Sequence, residues 1–377
     1  MDRVTLTPAA TAVFATVLTR GPISRTEVSR VTGLSTAAVT KVVRPILAAG
    51  YLDELPVGRA SAGSGRPAAP LAVRADREFF AGVWLRAGEL VVVLADLRAG
   101  VRAAHRIPLP GTSVAAVVAA VARAVAVLGA PGALVRRVGV AVPGEVDRGS
   151  GIVRRGPYPG WRDVPLAALV REATGLPATV ENDVRALTVA EQWFGEGAGT
   201  RSFALVTVGE GVGCGLVVNG ALVEGGYGVA GEIGHVPVDD TGPRCHCGGR
   251  GCVEAIAAEP AVVARIRAAT GRAALDLPGA VALARTGDRA ALESFAAAGR
   301  AVGRGIAAMV NMFGPEKVVV TGDGVAVLEK DLRAAYGPQA FGAAGGCPLI
   351  VEPLPPESWA RAAAAVTIMA LIGLGPG

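Results

Sequence analysis

The chain has 377 residues, 51% of them hydrophobic but only 4% aromatic, with 52 glycines; it is too long for one small domain and long enough for more than one apolar core. No run of eighteen uncharged apolar residues occurs, which excludes an ordinary membrane-spanning helix, and Met1-Asp2-Arg3 opens no signal-peptide core, so a cytoplasmic location is expected. The net charge of +5 sits at one end: nine Lys or Arg stand against four Asp or Glu up to Arg74, and 28 of each follow, which points to a polyanion-binding N-terminal module on a neutral body.

Residues 8–19 open with Pro8, suited to the first turn of a helix, and gather Val13, Phe14 and Val17 on one face before Gly21-Pro22 ends the pattern. Ser24 is spaced as an N-cap, with Glu27 three residues on completing a capping box, for a short second helix that stops at Gly33. Leu34 plugs the turn. Ser35 caps a third helix whose inward stripe is Val39, Val42, Val43, Ile46 and Leu47. This is a helix-turn-helix pattern, and it leaves Ser35, Thr36, Ala37, Thr40, Lys41 and Arg44 outward, small, hydroxyl or basic side chains that can approach base edges and phosphates in a major groove. A three-helix protein-interaction module shares the outline; the basic charge weighs against it. Pro45 implies a bend in the third helix. The Gly-, Ser- and Pro-rich stretch after Tyr51-Leu52 carries Arg59 and Arg66 and returns at Leu71-Ala72-Val73, as the wing of a winged helix does, and Arg66, between Gly65 and Pro67, suits a minor groove. Residues 1–74 thus read as a DNA-binding module with its wing and linker.

The body begins with strand patterns at 79–85, 90–96 and 101–107, a helix over 112–128, and a strand at 138–142 running into Pro143-Gly144-Glu145. Glu181-Asn182-Asp183 ends a strand and begins a helix, where α/β folds present ligand-binding side chains, although Asn-Asp can equally serve as a helix cap. Strands at 203–208 and 216–220 flank the Gly-rich turn Gly209-Glu210-Gly211-Val212-Gly213-Cys214-Gly215, whose N–H groups could face a phosphate, with Cys214 a small buried residue. Helices dominate 260–312, another strand and Gly turn run from Val318 to Gly324, and 358–372 form a terminal helix.

Three of the five cysteines, Cys245, Cys247 and Cys252, fall within eight residues, and His235 precedes the first by ten. Three thiolates and an imidazole make the Cys3His set of a closed tetrahedral structural zinc site, and the intervening glycines let the backbone turn tightly enough for the sulfurs to converge. A disulfide with a spare thiol, or three reduced loop cysteines, is the plainer alternative. His246, between two ligands, is expected to be a bystander that points away.

Gly-Glu232-x-Gly-His235 followed by Cys245-x-Cys247-Gly-x-x-Gly-Cys252-x-Glu254 resembles the signature of the ROK family of repressors, open reading frames and sugar kinases, and the landmarks Gly160-Trp161 and Glu181-Asn182-Asp183 match in order across nearly the whole chain. The resemblance implies an α/β fold: an N-terminal winged helix-turn-helix followed by a two-lobed actin-like (ribonuclease H-like ATPase) body, lobe 1 at 75–190 and lobe 2 at 191–377, with a structural zinc site and a terminal helix returning to lobe 1. It also implies a sugar site of Asn182, Asp183, Glu232, His235 and Glu254, Asp183 matching the general base of the family's kinases, though these residues could instead be a polar network that supports the zinc. Those kinases carry Asp-x-Gly where this chain has Trp84-Leu85-Arg86, and Gly-Thr-Gly where it has Glu210. Both departures disfavour ATP, so no enzymatic activity is expected. The expectation is a sugar-responsive transcription regulator, by default a repressor, acting as a homodimer or dimer of dimers on a palindromic operator. An active ATP-dependent sugar kinase with an added DNA-binding arm, and a constitutive DNA-binding protein with a vestigial cleft, are the alternatives.

Overall fold

In the computed structural model of the chain, residues 7–56, 69–128, 135–156, 158 and 160–373 are described. Contacts divide the chain into two compact units, Met1–Phe194 with Pro356–Gly377, and Gly195–Pro355.

The first unit opens with α1 (Pro8–Arg20), α2 (Arg25–Thr32) and α3 (Thr36–Ala48). Each is capped by a hydroxyl: Thr7, Ser24 and Ser35 accept from the backbone N–H three residues on, which satisfies a donor the helix end leaves without a partner. Only half of the capping box at Ser24 forms, because the Glu27 carboxylate turns to Arg30 instead. Val13, Phe14, Val17, Val28, Val39, Val43 and Ile46 are buried between the three helices, while Val42 and Leu47 are only half-buried. Pro45 lies within α3, close enough to its C-terminal end that the helix runs on to Ala48. The strands β1 (Leu52–Glu54) and β2 (Leu71–Val73) then pair antiparallel. The expected wing, with Arg59 and Arg66, lies outside the described residues.

The helix-turn-helix is joined to the rest of its unit by polar contacts, two of them buried and the third, from Arg77, exposed. Tyr51 donates its hydroxyl to Glu78 at 2.6 Å, the Thr11 hydroxyl donates to the Ile372 carbonyl at 3.1 Å, and Arg77 donates to the Ala49 carbonyl. Beyond it, β3 (Phe79–Arg86), β4 (Glu89–Asp96) and β5 (Val101–Pro108) form an antiparallel meander; α4 (Val114–Val127) leads to β6 (Val135–Val142). Three short strands, β7 (Glu145–Asp147), β8 (Ile152–Arg155) and β9 (Arg162–Val164), make a small sheet of their own. After α5 (Leu166–Thr174), β10 (Ala178–Asn182) runs parallel to β6 and passes directly into α6 (Asp183–Phe194), completing a sheet of order β10-β6-β3-β4-β5.

Alternation along β3 assigns the two faces of that sheet. Ala81, Val83 and Leu85 pack with Val117, Val121 and Ala124 of α4. Gly82 and Trp84 face the other way, toward α12 (Pro356–Leu371). A Cβ on Gly82 would lie 2.0 Å from the Ala360 carbonyl oxygen, and one on Gly139 of β6 equally near that of Ala363. The helix therefore rests on the sheet backbone to backbone. This is why α12 is rich in alanine.

The second unit has a sheet of order β13-β12-β11-β14-β15, from β11 (Phe203–Val208), β12 (Val212–Val218), β13 (Ala221–Leu222), β14 (Lys317–Thr321) and β15 (Leu349–Val351). The Gly-rich turn is shorter than its sequence suggests: Val212 to Gly215 already pair with β11, leaving Gly209 to Gly211 to make the turn. Helices α7 (Val253–Ala257), α8 (Glu259–Thr270), α9 (Leu277–Arg285), α10 (Arg289–Phe313) and α11 (Val325–Tyr336) complete the unit. No helix among the described residues is long and apolar enough to cross a membrane.

Candidate functional site: a cysteine loop and a capped aspartate

The cysteine loop belongs to the second unit. It is built almost entirely from backbone hydrogen bonds: Cys245 N–H to Gly249 O, Gly248 N–H to Cys245 O, Gly251 N–H to Pro243 O and Val238 N–H to Gly251 O. Gly251 adopts φ +62°, and a Cβ there would lie 1.6 Å from the Asp239 carbonyl oxygen, so the loop closes only with glycine at that position. Below it, Arg304 of α10 donates to the Val238 carbonyl and Gly305 packs on Val253 and Ile233.

The Sγ atoms of Cys245, Cys247 and Cys252 lie within 4.8 Å of one another, an arrangement that could hold a metal ion. The spacing can be tested against coordination geometry. A tetrahedral zinc with metal–sulfur bonds of about 2.3 Å and a metal–nitrogen bond of about 2.05 Å has edges of about 3.8 Å between sulfurs and about 3.5 Å between sulfur and nitrogen. Cys247 and Cys252 are 3.8 Å apart, and His235 Nδ1 is 3.5 Å from Cys245 Sγ. Both distances match such edges, but the expected set of four does not close: the three thiols form one group, and His235 falls in another with Cys245, His246 and Glu254, sharing only Cys245 with the thiols. A backbone N–H from Gly249 holds the Cys247 thiol below its ordinary range, whereas burial pushes Cys252 up to about 12. Without a cation the cluster keeps a proton on Cys252 that metal binding would displace.

Around the sulfurs lies a second group of His235, Cys245, His246 and Glu254. His246 does not point away as expected. Its Nε2 is 2.6 Å from Glu254 Oε1, and its ring meets that of His235 edge-on with centroids 5.0 Å apart. The other oxygen of Glu254 accepts the Val212 N–H at 2.9 Å, so this carboxylate links the cysteine loop to the end of the Gly209–Gly211 turn. Glu232 is exposed, with its carboxylate 3.8 Å from His235 Nε2. Glu210, in the turn, is also exposed.

Asn182 and Asp183 lie in the first unit, Glu232, His235 and Glu254 in the second. The Asn182 amide caps α6: its oxygen accepts the Arg185 N–H at 3.1 Å and its nitrogen donates to the Gly144 carbonyl at 2.9 Å. Asp183 is buried, and both carboxylate oxygens accept hydrogen bonds, Oδ1 from the Val184 N–H at 2.9 Å and Oδ2 from the indole Nε1–H of Trp84 at 3.3 Å. Trp84 stacks on Trp359 of α12, and Arg86 lies over the same ring. Nothing local in the sequence marks the Trp84–Trp359 pair, whose members are separated by most of the chain.

On α3, Thr36, Ala37, Thr40, Lys41 and Arg44 are all exposed, opposite the buried Val39, Val43 and Ile46, and the N-cap Ser35 is exposed as well.

A three-helix module ahead of a body with two five-stranded α/β sheets, and a histidine–cysteine loop on the second of them, define a class of protein: a sugar-kinase-like body with a helix-turn-helix in front. The match of residues 81–352 to the ROK family model places the chain in that family. It is 30% identical over 328 residues to the DNA-binding transcriptional repressor Mlc of Escherichia coli, covering 82% of this chain and 80% of that protein. A crystal structure of a ROK family transcriptional regulator, a homolog of the E. coli Mlc protein, superposes with a TM-score of 0.80 at 28% identity, over 97% of this chain and 96% of that one. A ROK family glucokinase from Streptomyces griseus, solved with glucose and AMPPNP, has a TM-score of 0.65 at 29% identity and covers 76% of this chain and 98% of its own.

Proposed function

We propose that this ROK protein is a cytoplasmic, sugar-responsive DNA-binding transcription regulator of carbohydrate metabolism, a repressor whose hold on its operator the sugar relieves. The observation that carries the reading is α3. Five exposed residues, small, hydroxyl or basic, occupy one face of a helix whose other face is buried in a three-helix core, with the exposed N-cap Ser35 just ahead of them, as major-groove recognition requires. Lys41 and Arg44 neutralise phosphates, the other four approach base edges, and Arg66 reaches the minor groove from the wing. The likeness to the regulator extends over the N-terminal helices, whereas the glucokinase covers only 76% of the chain.

Asn182, Asp183, Glu232, His235 and Glu254 contact the sugar. Zinc held by His235, Cys245, Cys247 and Cys252 keeps the loop that carries His235 and Glu254 in one shape; it is a structural ion. Phosphoryl transfer is not among the functions: Trp84 donates to the carboxylate of Asp183, and Glu210 opposes a triphosphate at the glycine turn. A homodimer, or a dimer of dimers, sets two α3 helices on a palindromic operator. An ATP-dependent sugar kinase with an appended DNA-binding arm has the buried Asp183 in its favour and Trp84, Arg86 and Glu210 against it; ADP release over a sugar panel tests it.

The deciding experiment is a fluorescence-anisotropy titration of the zinc-loaded protein on the DNA upstream of its own gene, with and without sugars. The expected outcome is salt-sensitive binding to a palindrome that one sugar changes about 5- to 150-fold, with Lys41→Ala and Arg44→Ala each lowering the salt slope by about 1. Absence of binding at low salt overturns the reading.

A further inference from the structure

A cavity of about 420 Å³ opens in the second unit between the cysteine loop and three helices. Asp239 and Pro243 line it from the loop, Ile256 from α7, Ala261 and Arg265 from α8, and Ala297 from α10. Ala261 and Arg265 are four residues apart and so share a face of their helix. Alanine at 261 and 297 leaves open a space of the size that small-molecule sites have.

Arg265 stands in this wall as a charge without an acidic partner. Its Nε donates to the Ser294 hydroxyl at 3.1 Å, and one Nη donates to the Ile256 carbonyl at 2.7 Å and the Ser294 carbonyl at 3.3 Å. Ser294 is itself buried and donates to the Val262 carbonyl, so the guanidinium is held between α7, α8 and α10. Tying those helices takes only Nε and one Nη. The other Nη has no hydrogen bond among the described residues, and no carboxylate there forms an ion pair with the group. Burial pulls its pKa below the ordinary arginine value, yet arginine keeps its proton in proteins. Asp239, the acid in the wall, is engaged elsewhere: Oδ1 accepts the Thr241 N–H at 2.9 Å and the Thr241 hydroxyl at 2.7 Å, and the charge of Arg304 acts on it.

We infer that this cavity is a ligand site of its own, for a small carboxylate monoanion with an aliphatic body, held by the unused Nη of Arg265. A carboxylate oxygen accepts from a guanidinium N–H in a charge-assisted bond, and the alanine and isoleucine walls remove an aliphatic body from water. Phosphate suits the site less: it brings about 1.5 to 2 negative charges and several acceptor oxygens to one charge and one nitrogen, beside Asp239. Asp239 and Pro243 belong to the loop that carries the cysteines, and Ile256 lies in the helix that follows it. A bound carboxylate therefore braces that loop against the helices. The inference goes beyond the sensor reading and does not depend on it.

It is tested by NMR of the full zinc-loaded chain with isotope-labelled isoleucine δ1 methyl groups, the Ile256 signal being assigned by its loss in Ile256→Val. Propionate, pyruvate and inorganic phosphate are titrated in turn against sodium chloride at equal ionic strength. The expected result is a saturable shift of the Ile256 methyl with propionate and pyruvate, and weaker binding of phosphate. Arg265→Gln weakens both carboxylates at least about tenfold. Ala261→Leu fills the cavity, leaves the guanidinium's own bonds in place and abolishes the shift; where Arg265→Gln does not fold, this variant decides. The inference is overturned if neither carboxylate gives a saturable shift, if phosphate binds as tightly as they do, or if their binding survives either substitution unchanged. Each of these outcomes leaves the sensor reading standing.

Discussion

The two units hold their candidate residues by opposite means. In the second, the sulfurs of the cysteine loop converge because glycines and backbone hydrogen bonds turn the chain, in an arrangement that could hold a metal ion. In the first, Asp183 is set by packing: Trp84 on Trp359, and α12 seated on Gly82 and Gly139. A site of the first kind depends on a bound ligand and on few residues. A site of the second kind depends on shape over a long reach of chain. Different perturbations should therefore break them, and each should leave the other unit's unfolding transition in place.

Metal removal is the largest expected effect. A structural zinc in a site of this kind is worth on the order of 10 kcal/mol at neutral pH, so chelation, or Cys247→Ser, should lower the second unit's calorimetric transition steeply and leave the first unit's near its original temperature. Zinc content measured alongside should fall well below one per chain. Because Cys252 keeps its proton up to about 12 without metal, binding displaces protons and affinity should fall as pH falls. Unchanged zinc content and melting in Cys247→Ser would show that the cysteines do not hold the loop. Gly82→Ala is the converse experiment. Its Cβ would meet the Ala360 carbonyl oxygen at 2.0 Å, backbone against backbone, so α12 must lift. Overpacking of this sort costs about 3 kcal/mol, and the loss should appear in the first unit's transition with zinc content intact.

The same contrast explains what the amino-acid order reveals. The cysteine loop and the helix-turn-helix are legible because their determinants are local: His235 to Glu254 span twenty positions, and the serine caps at 24 and 35 stand one residue before the helices they start. The alternation in β3 and the strand-to-helix passage at Asn182–Asp183 are local too. What could not be read were contacts between distant segments. Trp84 is visible as a bulky replacement, but its bond to Asp183 and its stack on Trp359 depend on where β10 and α12 settle. His246 looks like a bystander because sequence gives no direction to a side chain between two ligands, and the Gly209–Gly215 stretch looks like one turn because glycines inside a strand leave the same mark as glycines in a loop.

A subtler test lies where the helix-turn-helix meets the rest of its unit. The Tyr51 hydroxyl donates to Glu78 at 2.6 Å, and both side chains are buried. Tyr51→Phe removes one buried, charge-assisted bond and should cost about 1.5 to 3 kcal/mol in the first unit's transition, less than Gly82→Ala if that substitution lifts the whole of α12. The pH dependence identifies the bond itself. Burial, followed by the hydrogen bond to Glu78, raises the tyrosine's pKa above its ordinary value near 10. A group whose pKa is raised on folding contributes fully below its unfolded value and loses that contribution as pH rises through the folded one. Wild type should therefore lose stability above about pH 10 through a component that Tyr51→Phe lacks. Parallel stability curves for the two proteins from pH 8 to 11 would mean that this hydroxyl is not what ties the three helices to β3, leaving Thr11 on the Ile372 carbonyl and Arg77 on the Ala49 carbonyl to do so.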